Sequence, residues 1–235
     1  MRWILLPGMD GEGLFKPFIE RLGQEQSVLA LSYPSTVSLS YDQLTALVRE
    51  SLREESDYIL IAESFSGPIA IRLAAERPPG LRALVLAASF CRSPVSKVKA
   101  LLLRQFGAAL LRMRLPKFLV RYFLLDKSSS HEMLDALYTA IKKVRVEVLG
   151  FRVREILNVK VCHLCASISV PVLYLQGNQD KLVGQDEAQL IGRSCKSFEL
   201  HQIDAPHMVL QCQPTLSIKL IKDFLSRHKI ITSKP

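Results

Sequence analysis

The sequence predicts an α/β fold: an open, mostly parallel sheet of about six strands, helices on both faces, and an inserted helical cap. Three observations carry that reading. Six short β-rich runs, at 3–6, 28–31, 58–62, 81–87, 170–175 and 197–203, are each bounded by turn residues. Helical periods separate several of them, the pattern of parallel strands joined by crossover helices. From Ser93 to about Ser167 that alternation stops, and helical stretches follow one another.

The helices are read from their ends and stripes. Ser40-Tyr41-Asp42-Gln43 is a capping-box pattern, and it opens a stripe of Tyr41, Leu44, Leu47/Val48 and Leu52. Near the C-terminus Pro214 suits a first helical turn, followed by Leu216, Leu220/Ile221 and Phe224/Leu225. In the middle, helices are expected around 96–114, 117–125, 130–142 and 145–158. Val144 to Val148 alternates with period two, so a strand competes with a helix there. Residues 1–92 and 168–235 are thus expected to form the core, and 93–167 the cap.

At 235 residues and 49% hydrophobic, the chain is long and apolar enough to close one large core. Disordered, repetitive and collagen-like classes are excluded. No apolar run approaches the roughly 20 residues a membrane-spanning helix needs. The N-terminus shows no leader pattern, and five cysteines (91, 162, 165, 195, 212) make a poor disulfide framework, so a cytoplasmic monomer is the expectation. Cys162-x-x-Cys165 is half of a zinc pattern without a second pair, and reads as a buried pair of thiols.

The net charge of +9 is unevenly spread. Between Arg92 and Lys160 fifteen basic residues face five acidic ones, so that segment carries +10 and the remainder −1. A solvated face and a directed electrostatic surface both fit this distribution. Lys97, Arg104 and Arg112 share one helical stripe, and with Lys142, Lys143, Arg152 and Arg154 they are the candidates for docking an acidic partner. Nucleic acid is not expected, because the segment has few aromatics and no recognised module.

Four local features bear on chemistry. The run Tyr58 to Ala70 reads strand, sharp turn of small residues, helix; Ser64 has Ala62 two before and Ser66 two after it, as a nucleophile elbow needs. Ser66 is the competing candidate, and an ordinary strand-to-helix loop capped by Ser64 is the plain alternative. Leu6-Pro7-Gly8-Met9-Asp10-Gly11-Glu12-Gly13 follows the first strand, where glycines let backbone N–H groups turn toward a developing oxyanion. Met9 and Phe65 would be the donors. Asp180 follows a strand at 170–175, and His207 follows the last strand; Ser64, Asp180, His207 is a known triad order. Asp186 and Asp204 are rivals to Asp180. No metal or organic cofactor is called for.

On these residues the chain resembles the α/β-hydrolase superfamily. The resemblance covers Pro7-Gly8-Met9-Asp10-Gly11, Ala62-Glu63-Ser64-Phe65-Ser66-Gly67, Gly177-Asn178-Gln179-Asp180 and Ala205-Pro206-His207. It implies a sheet lacking the usual N-terminal hairpin, and a serine carboxylesterase working through an acyl-enzyme. The cap ending in Phe151-Arg152-Val153-Arg154 is similar to that of the pimeloyl-acyl-carrier-protein methyl ester carboxylesterases of biotin synthesis. That implies a small ester substrate presented by an acidic acyl-carrier protein. A general short-chain esterase or thioesterase, a lipase-like enzyme on anionic lipid, and a non-catalytic binding protein are the competing readings. Phe106, Leu110, Met113, Phe118 and Phe123 are the candidate lining of an acyl tunnel, with plain helical core as the alternative reading.

Overall fold

The computed structural model describes residues 1–24, 26–95, 116–126 and 129–231. Six strands, β1 (Arg2–Leu6), β2 (Ser27–Ala30), β3 (Tyr58–Glu63), β4 (Leu81–Ala87), β5 (Val172–Gly177) and β6 (Phe198–Ile203), form one sheet in the order β2-β1-β3-β4-β5-β6. Every pair is parallel. The expected strands are therefore found, with small changes at their ends.

Alternation along the central strands sorts the core into two layers. Ile4, Leu6, Leu60, Leu84, Leu86 and Tyr174 face one side, packing with α2 (Tyr41–Ser51), α3 (Gly67–Ala75) and α7 (Gln185–Ser194). Trp3, Leu5, Ile59, Ile61, Val85 and Leu173 face the other, against α1 (Lys16–Leu22) and α9 (Pro214–Arg227). Successive side chains of a strand point to opposite faces, so a strand covered on both sides has to be apolar throughout. β3 is buried at all six positions. The capping box at Ser40 forms as expected: Gln43 N–H donates to Ser40 Oγ at 3.2 Å, and Ser40 N–H to Gln43 Oε1 at 2.9 Å.

The chain runs outward from β1 to β2, then returns to β3 on the other side of β1. At such a reversal the loops after β1 and β3 leave in opposite directions and open a crevice at the carboxyl ends of the strands. At the far edge β6 carries Glu199, which accepts from Arg227 and from His228 at 3.0 Å.

Between β4 and β5 lie α4 (Lys117–Leu124), α5 (His131–Lys143) and α6 (Val146–Asn158), then a 3-10 turn at Cys162–Ser167. The helical reading of 145–158 holds from Val146. The expected helix at 96–114 lies outside the described residues. Val120, Leu125, Leu134 and Leu137 pack on Met208, and Met208 N–H donates to Leu124 O at 3.1 Å, which fixes these helices over the carboxyl ends of the strands. No helix among the described residues is long and apolar enough to cross a membrane.

The cysteines depart from expectation. Cys162 is not a thiol paired with Cys165; it is disulfide-bonded to Cys91, 71 residues away and just beyond β4. The spacing of cysteines in the chain held no sign of it, because the fold itself brings the two together. Cys165 instead keeps a buried free thiol, beside the free thiol of Cys195 at the end of α7.

A cross-link that closes a loop of this length restricts the unfolded chain by about 4 kcal/mol. The double variant Cys91→Ala/Cys162→Ala is expected to lose stability on that order in urea denaturation, with little change in far-UV circular dichroism. An unchanged midpoint would mean that the bond is not formed in the folded protein.

Candidate active site

Ser64, Asp180 and His207 meet above the carboxyl ends of β3, β5 and β6. Ser64 Oγ lies 2.8 Å from His207 Nε2, and His207 Nδ1 lies 2.8 Å from Asp180 Oδ2. With Nδ1–H donated to the carboxylate, the Nε2 lone pair faces the serine hydroxyl. Asp180 is fixed in turn: its Oδ1 accepts from Leu182 N–H at 2.8 Å and Val183 N–H at 3.1 Å. The side chains of His207 and Asp180 are only 6% and 3% exposed, so water competes little for these bonds. The rivals are occupied elsewhere, Asp186 with Arg92 and Asp204 with Gln179.

The turn at Ser64 is sharp for a local reason. Ser64 has φ +47°, a left-handed conformation that costs a residue with a Cβ of order 1–3 kcal/mol. The 3-10 turn Ser64–Ser66 leads straight into α3, and a Cβ on Gly67 would sit 1.7 Å from Ser89 Oγ. Ser89 Oγ also donates to Ser64 O at 2.7 Å, so the glycine makes room for the group that anchors the turn. Ser66, the competing nucleophile, is fully buried; its hydroxyl donates to Pro7 O and meets Tyr33 OH at 2.6 Å. It ties the elbow to the loop after β1.

That loop faces the elbow across the crevice. Gly8, Met9 and Asp10 border the same cavity as Ser64 and His207. Asp10 Oδ2 accepts from Gly13 N–H at 2.7 Å and Glu12 N–H at 3.1 Å, shaping the turn. Phe65, which follows Ser64, is buried with its ring stacked on Tyr41 at 4.8 Å. The two expected oxyanion donors, Met9 and Phe65, are therefore held on the two sides of the crevice.

Glu63 and Gln211 are residues the sequence reading passed over. Gln211 Nε2 donates to Glu63 Oε2 at 2.9 Å and to Gly13 O at 3.1 Å, so one amide group links the loop after β1, the elbow and the helix α8 (Val209–Cys212) after His207. Among the described residues Glu63 Oε1 has no hydrogen-bond partner. Burial pushes the Glu63 carboxyl up to about 8, the nearby Asp10 adds to this, and the Gln211 bond opposes it. Burial likewise raises Asp10, against its backbone hydrogen bonds. A carboxyl closing an otherwise apolar strand was the visible signal.

The cavity has a volume of about 250 Å³ and walls of Leu124, Leu137, Ile141, Val153, Ile156 and Leu157, with Phe90 and Met208 nearer the core. Phe118 and Phe123 do not line it. They are 68% and 36% exposed, because α4 turns Val120 and Leu124 inward and its aromatics outward. Phe106, Leu110 and Met113 lie outside the described residues, as do Lys97, Arg104 and Arg112. Among the docking candidates Lys142, Lys143 and Arg154 are exposed; Lys142 lies 4.4 Å from the Tyr138 ring, Lys143 pairs with Glu12 at 3.1 Å, and Arg154 stacks on Phe151. Arg152 is a correction. It is 2% exposed and donates to Met9 O at 2.7 Å and Pro34 O at 2.9 Å, so it is not available to a partner. Among the described residues no group of His, Cys, Asp and Glu is arranged to hold a metal ion.

Comparison with known proteins bears on the fold and the family. The chain is similar to a hydrolase from Oleispira antarctica, 15% identical over 96% of this chain and 91% of the other, with a TM-score of 0.82. It is also similar to a thermophilic esterase from Thermogutta terrifontis, 20% identical over 99% and 91% of the two chains, TM-score 0.80. An esterase from Exiguobacterium antarcticum aligns at 12% identity over 96% and 92%, TM-score 0.82. No curated protein matches the sequence. At these identities the likeness shows the α/β-hydrolase fold, and the family model does the rest: it matches residues 23–209, and the chain is a hydrolase belonging to the family described as "Serine aminopeptidase, S33".

Proposed function

We propose that the protein is a serine carboxylic-ester hydrolase acting on neutral esters or thioesters with an apolar acyl chain. The observation that carries the reading is the hydrogen-bonded line Ser64–His207–Asp180 at the foot of an apolar cavity. Ser64 Oγ bonds to the acyl carbonyl carbon as its proton passes to His207 Nε2, and the carbonyl electron pair moves to oxygen. Met9 and Phe65 N–H groups receive that oxyanion, each donor contributing about 3 kcal/mol. Collapse expels the alkoxide, which takes the proton from His207; water repeats the sequence and releases the acid. Asp180 holds the tautomer throughout.

The family description names aminopeptidases, and the cavity argues for a different substrate. A free α-ammonium would have to shed its hydration among Leu124, Leu137, Ile141, Val153, Ile156 and Leu157, the apolar side chains of the cavity wall. Esterases among the similar folds agree with the ester reading. The narrower reading, cleavage of the methyl ester of a pimeloyl-acyl-carrier protein, rests on the +10 segment and on exposed Lys142, Lys143 and Arg154. Docking of an acidic carrier should weaken steeply with ionic strength, while p-nitrophenyl ester hydrolysis should not. Equal salt response for both substrates would leave the general esterase.

Ser64→Ala is expected to lower kcat/KM for p-nitrophenyl hexanoate by at least about 10⁴-fold without loss of fold. Retention of wild-type activity would refute Ser64 as the nucleophile, and a wild type that turns over no ester would favour a binding protein. Across p-nitrophenyl esters from acetate upward, each added methylene that enters the cavity should raise kcat/KM by up to about fourfold, as burial of a methylene contributes about 0.8 kcal/mol. Leu137→Trp should move the optimum to shorter chains; an unmoved optimum would place the acyl chain elsewhere.

The pH profile carries a further expectation. Glu63 ionises near 8, where its carboxylate would stand one residue from the nucleophile and oppose the oxyanion. Because its folded pKa lies above its ordinary value of 4.5, the native state also holds a proton that the unfolded state loses, so stability falls as pH rises from about 4.5 through about 8. In Glu63→Gln both the alkaline decline in kcat/KM and that loss of melting temperature should be absent. Parallel profiles for the two proteins would show that Glu63 does not titrate there.

A further inference from the structure

Arg152 stands on α6, in the helical segment, yet its guanidinium lies inside the core. Nη1 donates to Met9 O and Nη2 to Pro34 O, while the group sits 5.9 Å from the ring centres of both Tyr33 and Phe65. The loop after β1 is shaped around it. Gly11 has φ +79°, and a Cβ there would lie 2.9 Å from Arg152 Nη1 and 3.2 Å from Tyr33 O. Tyr33 N–H in turn donates to Gly11 O at 2.9 Å. A buried cation bound to two carbonyls has few alternative positions, since leaving either carbonyl unpaired in the interior is costly. Arg152 therefore sets where Met9 lies.

The same helix borders the cavity. Val153, Ile156 and Leu157 line it, and Ile156, four residues after Arg152, lies on the same helical face. An acyl chain packed on α6 would press on the element that holds Met9. Binding energy from a remote part of a substrate accelerates a reaction when it is realised at the reacting centre.

Building on the ester-hydrolase reading, we propose that Arg152 is the positioning residue of the oxyanion loop, and that through it α6 couples acyl-chain occupancy to placement of the Met9 donor. Arg152 touches no reacting atom. Its loss should act on kcat, since displacement of a catalytic group by about 1 Å costs on the order of 10²-fold.

The test compares wild type, Arg152→Lys and Arg152→Met on p-nitrophenyl acetate and octanoate, with Ser64→Ala in parallel. Arg152→Met is expected to lose about 10²-fold in kcat with KM nearly unchanged, and to lose the rise in kcat from acetate to octanoate that wild type shows. An alkyl trifluoromethyl ketone, which adds Ser64 to form an oxyanion, should bind more weakly by a similar factor. The matched methyl ketone should bind as before, a contrast that general loosening of the fold would not produce. Arg152→Lys, which keeps the charge and reaches only one carbonyl, carries the same comparison if Arg152→Met does not melt cooperatively. Wild-type kcat in either variant, or equal weakening of both ketones, would overturn the proposal while leaving the serine mechanism standing. Hydrolysis that survives in Ser64→Ala would instead refute the ester-hydrolase reading on which it rests.

Discussion

The backbone hydrogen bonds of β3, made to β1 on one side and β4 on the other, hold the central strands in parallel register with their carboxyl ends together. The placement of the site's loops follows from that constraint. The turn at Ser64 can leave β3 only at its carboxyl end, and the loop after β1 lies beside it because β1 is the hydrogen-bonded neighbour. Asp180 and His207 arrive in the same way from β5 and β6, whose pairing extends to Gly177 and Ile203. Close approach of these last two loops depends on Gly177, where a Cβ would fall 2.4 Å from Pro206 O and 2.5 Å from Ala205 O.

Polar groups in an apolar interior need partners, and at this site the partners do more than satisfy one another. Ser66 bonds Pro7, Gln211 bonds both Glu63 and Gly13, and Arg152 bonds Met9 and Pro34. Each of these bonds joins segments of the site that are far apart in the chain, over 59 to 198 residues. They hold relative positions that the strand ends alone leave loose. The left-handed backbone at Ser64 persists because its surroundings are fixed in this way.

How much of this was legible in the sequence depends on the range of the interaction concerned. The strands, the capping box at Ser40 and the turn at Ser64 declare themselves within a few residues, and the sequence reading recovers them. Asp180 and His207 are legible one step further, as an acid and an imidazole following strand ends in the right order. Long-range partners are not. Arg152 reads as one more charge in a basic segment, since nothing in Phe151-Arg152-Val153-Arg154 reveals that its acceptors are the carbonyls of Met9 and Pro34. Phe118 and Phe123 read as pocket lining by size alone, while the direction of α4 turns them outward. Cys91 and Cys162 stand 71 residues apart, and their pairing is visible only in the folded chain.

The two ends of the sheet also matter for the fate of the molecule in a crowded solution. A terminal strand presents unpaired N–H and C=O groups that invite another chain to add to it. Here β2 offers only four residues, and β6 carries Glu199 in a cluster with Arg227 and His228. An incoming strand would find a short template at one end, and charged side chains needing desolvation at the other. Both edges of the described sheet thus carry a safeguard against edge-to-edge aggregation.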